Sequence, residues 1–333
     1  MSTQIYPLLF TPVYKDNIWG GNRIPRIFNR KPQQKICAES WEISDRPEGM
    51  SIVSNGPLSG SSLHKLIETM HEDLVGSCLS TTIEQGKSLV FPLLIKIIDA
   101  KQRLSVQVHP DEHTADIYRG KAKNEMWYVL DAEPEARIFA GLRPGVDREA
   151  FEEALRRKQI EDILCSTALQ LGMAIYIPGG RIHAIGEGSL LLEVQQNSNT
   201  TYRVYDWDRL GKDDKPRELH VEQALHVINW KDSLPLTIEP RELEHPGMNS
   251  QWEVITCPYF HITRLELSEP EAICNDGSSF HILFTVTGNA DIEGNGFTEK
   301  LRSGTSCLAP AALDCYTLTP TKTNTAVLRI SLV

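Results

Sequence analysis

The stretch Leu104-Ser105-Val106-Gln107-Val108-His109-Pro110 constrains this chain more than any other. Strand side chains alternate between faces, so Ser105, Gln107 and His109 share one face while Leu104, Val106 and Val108 share the other. The result is a polar, metal-capable row backed by an aliphatic one. Sixteen residues after His109 stands Glu125, opening the strand-like run Glu125-Met126-Trp127-Tyr128-Val129-Leu130. A second histidine, His183, follows the turn Pro178-Gly179-Gly180. Gln107, His109, Glu125 and His183 together offer two imidazoles, a carboxylate and an amide oxygen. That donor set suits one borderline divalent ion per chain, with zinc first.

A chain of 333 residues, 41% of them apolar, is long enough for two domains with a sizeable core. Its formal charge of -10 argues against nucleic acid or an anionic membrane as a partner, because clustered Lys and Arg hold both. A small anionic substrate stays compatible, since a few local cations dominate a pocket. No run approaches the ~20 apolar residues that span a bilayer. The opening Met1-Ser2-Thr3-Gln4-Ile5-Tyr6-Pro7 has no basic region followed by an apolar run, which predicts no signal peptide. Seven cysteines at irregular spacings (37, 78, 165, 257, 274, 307, 315) contain no CxxC pair. They predict reduced thiols in a cytoplasm rather than a disulfide framework.

Short strands punctuated by turns dominate the pattern. They are expected over 41–44, 51–54, 91–98, 174–177, 190–195 and 202–205, then over 253–255, 261–266, 281–286 and 326–330. Apolar residues at 63, 66, 67, 70 and 74 predict a helical insertion within about 61–79, with Ser61 or Ser62 as its N-cap. Phe151, Leu155, Ile160 and Ile163 predict a second one over 147–164, and Pro110 fits the first turn of a short helix. The expected fold is mainly β, a jelly roll or sandwich with a few inserted helices. The polar, Pro-containing stretch 231–246 marks a boundary between residues 1–235 and 236–333.

A weak internal repeat links the two halves. Gly172, five residues, then Pro178-Gly179-Gly180-Arg181-Ile182-His183 is matched by Gly304, five residues, then Pro310-Ala311-Ala312-Leu313-Asp314-Cys315. His281 falls where Glu125 falls in the first half. A second site using His281 and Cys315 is one reading of the copy. With no counterpart of Gln107 and His109, a metal-free structural copy is the favoured one.

The pattern G-x5-P-x-G-x2-H over Gly172–His183 closely matches the second motif of the cupin superfamily, and the strands of His109 and Glu125 stand for its first. More specifically, the chain resembles the type I phosphomannose isomerases in their short bacterial form. The resemblance rests on Ile18-Trp19-Gly20-Gly21, Glu39-Ser40-Trp41-Glu42, Phe91-Pro92-Leu93-Leu94-Ile95-Lys96 and Leu104–Pro110. It continues through Asn124–Leu130, Ile177–Gly186 and Gln195–Arg209.

This resemblance implies two tandem cupin (jelly-roll) barrels, the second degenerate and without metal ligands. It implies a zinc-dependent interconversion of mannose 6-phosphate and fructose 6-phosphate, with a sugar phosphate as the only partner and a monomer or weak homo-oligomer. The family's metal ligands fall on His109, Glu125 and His183, with Gln107 as the fourth, and its catalytic groups on Arg203 and Lys123. Asn124 stands between Lys123 and Glu125 where Thr or Pro is common in the family.

Other residues carry weaker expectations. Ser105 and Glu193 are candidate substrate contacts, although an exterior or network carboxylate is the favoured reading of Glu193. Lys96 is expected to meet a carboxylate or line the pocket, His113 to lie outside the metal shell, and Trp19 and Trp41 to pack in the core. Two rival functions accompany the isomerase: a metal-dependent cupin oxygenase, and a sugar-phosphate-binding cupin without turnover.

Overall fold

The computed structural model describes residues 5–79 and 89–333. They divide into two compact units built from interleaved segments. One holds Tyr14–Trp41 and Leu93–Ile238; the other holds the described residues of Met1–Val13, Glu42–Pro92 and Glu239–Val333. The chain passes from the first to the second at Ile238/Glu239. Segments 1–13 and 42–92 nevertheless group with the C-terminal strands, not with the rest of 1–235. Strand pairing explains this grouping, because Leu8–Thr11 pairs with Ser306–Ala309, Leu8 facing Leu308. Such pairing is not local in sequence, so a linear boundary does not capture it.

The unit containing 93–238 has two sheets. The first runs in the order Ala174–Ile177, Glu125–Ala132, Ser189–Gln196, Leu93–Ala100, Glu39–Ile43, Val13–Lys15. Leu93–Ala100 is buried along its whole length, which accounts for its nearly continuous apolar run, interrupted by Lys96 and Asp99. The second sheet has the order Tyr202–Tyr205, Val106–Val108, His183–Ile185, Arg137–Leu142, Leu164–Ala168. Val106, Val108, Tyr202 and Val204 lie on its outer face, packed with Phe151, Ala224 and Leu225 of two helices. Each buried aliphatic side chain there contributes ~1.5–3 kcal/mol. That burial fixes which face of Val106–Val108 looks inward. Leu104, expected on the same face as Val106, packs instead with Trp19 and Ile98 because the strand begins only at Val106. The other unit pairs an eight-stranded sheet with a four-stranded one around Leu265, Leu283, Ile292, Cys307, Leu318 and Val327. The chain is mainly β, with few helices, as expected.

Both expected helical insertions form, but each is broken. The first is Leu63–Met70, capped by Ser62 Oγ accepting from Lys65 N; it stops at His71 (φ 46°) before Glu72–Val75. The second is Arg148–Arg156, capped by Asp147, followed by a 3-10 turn at Ile160–Ile163. Lys158 takes a left-handed conformation (φ 57°), while Gln159 N donates to Ala154 O and Lys158 N to Leu155 O. That is a Schellman ending without its usual glycine, so the sequence shows no stop there.

Pro110 does not open a helix. Asp111 Oδ1 instead accepts from His113 N and Thr114 N, an Asx turn that competes with helix, and a 3-10 turn follows only at Ala115–Tyr118. The expectation of reduced thiols throughout is also corrected. Cys274 and Cys315 form a disulfide, placed directly opposite each other on paired strands with Cα atoms 4.2 Å apart. The other five cysteines form no disulfide among the described residues. Among the described residues, no helix is long and apolar enough to cross a membrane.

Candidate metal centre

Strand register builds this site. His183 pairs directly with Gln107, so both side chains stand on one face of the second sheet, and Arg203 pairs with Gln107 from the other side. Glu125 enters from the first sheet, where it faces Ile177 and Gln195. His109 follows directly after Val106–Val108. The ligating atoms of His109, Glu125 and His183 all lie within 4.8 Å of one another, and all three side chains are fully buried.

Hydrogen bonds prepare the donors. His109 Nδ1 donates to Thr200 O at 2.8 Å and His183 Nδ1 to Arg181 O at 2.8 Å. In each ring the Nε2 lone pair is thereby left facing inward, the arrangement that orients a metal-ligating histidine. The Nε2 atoms lie 3.5 and 3.6 Å from Glu125 Oε2 and Oε1 respectively. Burial holds both imidazoles down to about 4, with the Lys123 ammonium adding to the effect at His109. They are therefore neutral, as ligands must be. Burial pushes Glu125 up, but the Lys123 ammonium and the two imidazoles outweigh it and hold the carboxyl well below its usual range. Gln107 Nε2 sits 3.2 Å from His183 Nε2 and its Oε1 3.3 Å from Ser105 Oγ. Turning the amide over would aim its oxygen at the same point.

Both Glu125 oxygens are buried without a hydrogen-bond partner. Lys123 Nζ lies 2.6 Å from Oε2, an ion pair whose angles do not make a hydrogen bond, and 3.1 Å from His109 Nε2. An anionic, buried, under-bonded carboxylate beside two inward-facing Nε2 atoms fits a divalent cation.

Family models place this geometry. Residues 8–141 match the type I phosphomannose isomerase catalytic domain, and residues 251–328 the mannose-6-phosphate isomerase cupin domain. The chain is 33% identical over 316 residues to mannose-6-phosphate isomerase ManA of Bacillus subtilis, covering 94% of this chain and 95% of that protein. It is 35% identical over 263 residues to mannose-6-phosphate isomerase of Streptococcus mutans, covering 79% of each. The solved structure of the mannose 6-phosphate isomerase from Bacillus subtilis superposes with a TM-score of 0.86 at 29% identity, covering 98% of this chain and 99% of that one. The chain belongs to the type I phosphomannose isomerases.

In this family member the turn before His183 explains its glycines. Gly180 N donates to His109 O at 2.7 Å with φ +85°. A Cβ on Gly179 would lie 2.6 Å from Asp111 Cα, so only glycine lets the turn rest on the chain just beyond His109. Two further supports escaped the sequence reading. Asn124, which points away from Glu125, accepts from Gly179 N (3.0 Å) and donates to Gln196 Oε1 (2.7 Å), tying the turn to the Glu125 strand. Arg181, 2% exposed, pairs with Asp232 at 3.0 Å and donates to the carbonyls of Tyr176, Leu234 and Pro235. A buried arginine inside the turn motif was the available signal.

The remaining candidates separate. Lys96 Nζ donates to Glu193 Oε1 (2.9 Å) and Gln195 Oε1 (2.7 Å), and Trp127 Nε1 donates to Glu193 Oε2 (3.2 Å). Glu193 thus points inward, with both oxygens already engaged. Burial lowers the Lys96 ammonium, but Glu193 and Glu39 outweigh it and raise it. Glu39 in turn accepts from Trp41 Nε1 and Asn17 Nδ2, both at 2.6 Å. Trp19 packs in the core with Ile98 and Leu104. His113 is exposed in the Asx turn and outside the metal cluster. Arg203, half-buried, donates to Glu218 O at 2.8 Å, while its Nε has no partner.

Proposed function

We propose that the chain interconverts D-mannose 6-phosphate and D-fructose 6-phosphate, moving a proton between C1 and C2 through an enediol(ate). One zinc would be held by His109, Glu125 and His183, with Gln107 as a fourth ligand. The observation that carries the reading is the pair of inward-facing Nε2 atoms, oriented through Nδ1, converging on an under-bonded buried carboxylate in a chain of this family.

When bound, the metal supplies a fixed positive charge that favours developing negative charge on substrate oxygen. The chain supplies the rest. Arg203, beside Gln107 on the inward face, presents a permanent cation that grips the O1/O2 pair or the phosphate through paired N–H donors. Lys123 sits beside the metal ligands, where its Nζ can give or take a proton at the sugar's oxygens. Its ammonium lies 2.6 Å from Glu125 Oε2 and 3.1 Å from His109 Nε2, at the edge of the residues that would hold the metal. Ser105 Oγ offers a hydroxyl from the same row. Glu193 is assigned to holding Lys96 rather than to binding sugar.

Metal analysis combined with a coupled assay for fructose 6-phosphate tests the reading. One zinc per chain, activity lost to a chelator and restored by zinc, is the expected outcome. Bound iron with oxygen uptake would replace it with an oxygenase, and tight sugar-phosphate binding without turnover with a binding protein.

A further inference from the structure

In the unit containing 239–333, the strands Phe260–Leu267, Thr325–Ser331 and His281–Thr287 lie side by side. Leu265, Val327 and Leu283 face the core, so by alternation His261, Thr263, Arg329 and His281 share that inner face. Register places Arg329 directly between Thr263 and Leu283, with His261 opposite Ser331 in the next row. His281 Nδ1 lies 3.0 Å from the hydroxyl of buried Tyr316. This polar row closes one end of an otherwise apolar interior.

Apart from His281 Nδ1, which Tyr316 engages, its donors lack partners among the described residues. Arg329 is half-buried and has no hydrogen bond or ion pair among the described residues, unlike Arg241, paired with Glu253, and Arg264, paired with Glu266. Thr263 is fully buried with no partner for Oγ1, and His261 Nε2 is likewise without a hydrogen bond. Glu253, 3.7 Å from His261, is already bonded by Arg241 and Thr256, and Asp276 accepts from Ser278. A buried hydroxyl without a partner is costly, and beside it the half-buried guanidinium offers donors that an acceptor-rich ligand can meet.

We propose that this inner face binds a phosphate group, gripped by Arg329 and completed by Thr263, His261 and His281. A phosphate oxyanion is acceptor-only and matches the guanidinium fork. The neutral imidazoles, held down by burial and by Arg329, add N–H donors, His281 lying at about 4. The site is independent of the proposed isomerase chemistry.

Side-chain NMR of the His261 and His281 rings in the metal-loaded protein, titrated with inorganic phosphate and separately with glycerol phosphate, tests it. Saturable shifts of both rings are expected, weakened at least ~10-fold in Arg329→Gln and largely kept in Arg329→Lys, as a charge-assisted contact requires. The isomerase rate should stay unchanged in both variants. Response to both ligands marks a phosphomonoester site; response to inorganic phosphate alone marks a site for the free ion. Should Arg329→Gln not fold, Thr263→Val carries the same comparison. No saturable shift, or one undiminished in Arg329→Gln or Thr263→Val, overturns the proposal.

Discussion

Both units carry the frame Gly-x5-Pro, yet only in the unit of residues 93–238 does it deliver a histidine to a buried His–Glu–His cluster. There Pro178-Gly179-Gly180 rests on the chain beyond His109, and His183 arrives buried opposite Gln107. In the other unit Ala311 N and Ala312 N donate to Leu74 O and Asp73 O, and the turn needs no glycine. Cys315, five residues after Pro310 as His183 is after Pro178, is exposed and bonded to Cys274. Tyr316, one residue later, points inward to His281. An offset of one residue moves a side chain to the opposite face of a sheet. What the frame preserves is the turn, and the inward-facing residue set decides the chemistry.

The largest expected contrast comes from the final residue of each frame. His183→Ala should remove metal and activity together while circular dichroism stays unchanged, whereas Cys315→Ser should leave both intact. Retained zinc stoichiometry in His183→Ala would sink the ligand assignment.

Next in size is Arg203→Ala, expected to lower kcat by ~100-fold, the scale of losing an oxyanion donor, with zinc still bound. A change confined to KM would assign Arg203 to phosphate binding instead.

Smaller still is the turn itself. Gly179→Ala should weaken metal binding by ~10–100-fold, as for loss of a supporting partner. Ala311→Gly in the other unit should not move it; equal effects would break the comparison.

The mildest effect is a pH slope. Folded His109 and His183 stay neutral down to about 4, whereas unfolded imidazoles take up protons near 6.5. Between those values the unfolded chain binds more protons, so stability of the chelated protein should fall as pH drops through this window. Denaturant midpoints against pH should flatten in His109→Asn/His183→Asn, and the remainder in His281→Asn. An unchanged slope would refute the linkage.

Much of the site was legible because period-2 alternation alone sorts Ser105, Gln107 and His109 from Val106 and Val108, and burial under two helices enforces that sorting. The Pro-Gly-Gly turn was legible too, since few residues tolerate its backbone. Asn124 and Arg181 were not, because their partners Gly179, Gln196 and Asp232 are brought to them only by sheet pairing. The helix stop at Lys158 was hidden because a lysine holds the left-handed position that glycine usually marks.

Motif matches in the sequence pointed to the family, and by itself the sequence further determined a mainly β chain, the strand faces and the turn before His183. These follow from local periodicity and from turns that constrain a few adjacent residues. Tertiary structure alone decided that Leu8–Thr11 joins the C-terminal sheet, that Cys274 meets Cys315, and that Arg329 stands unpaired beside Thr263. Each of these depends on register between strands distant in sequence, which no local pattern specifies.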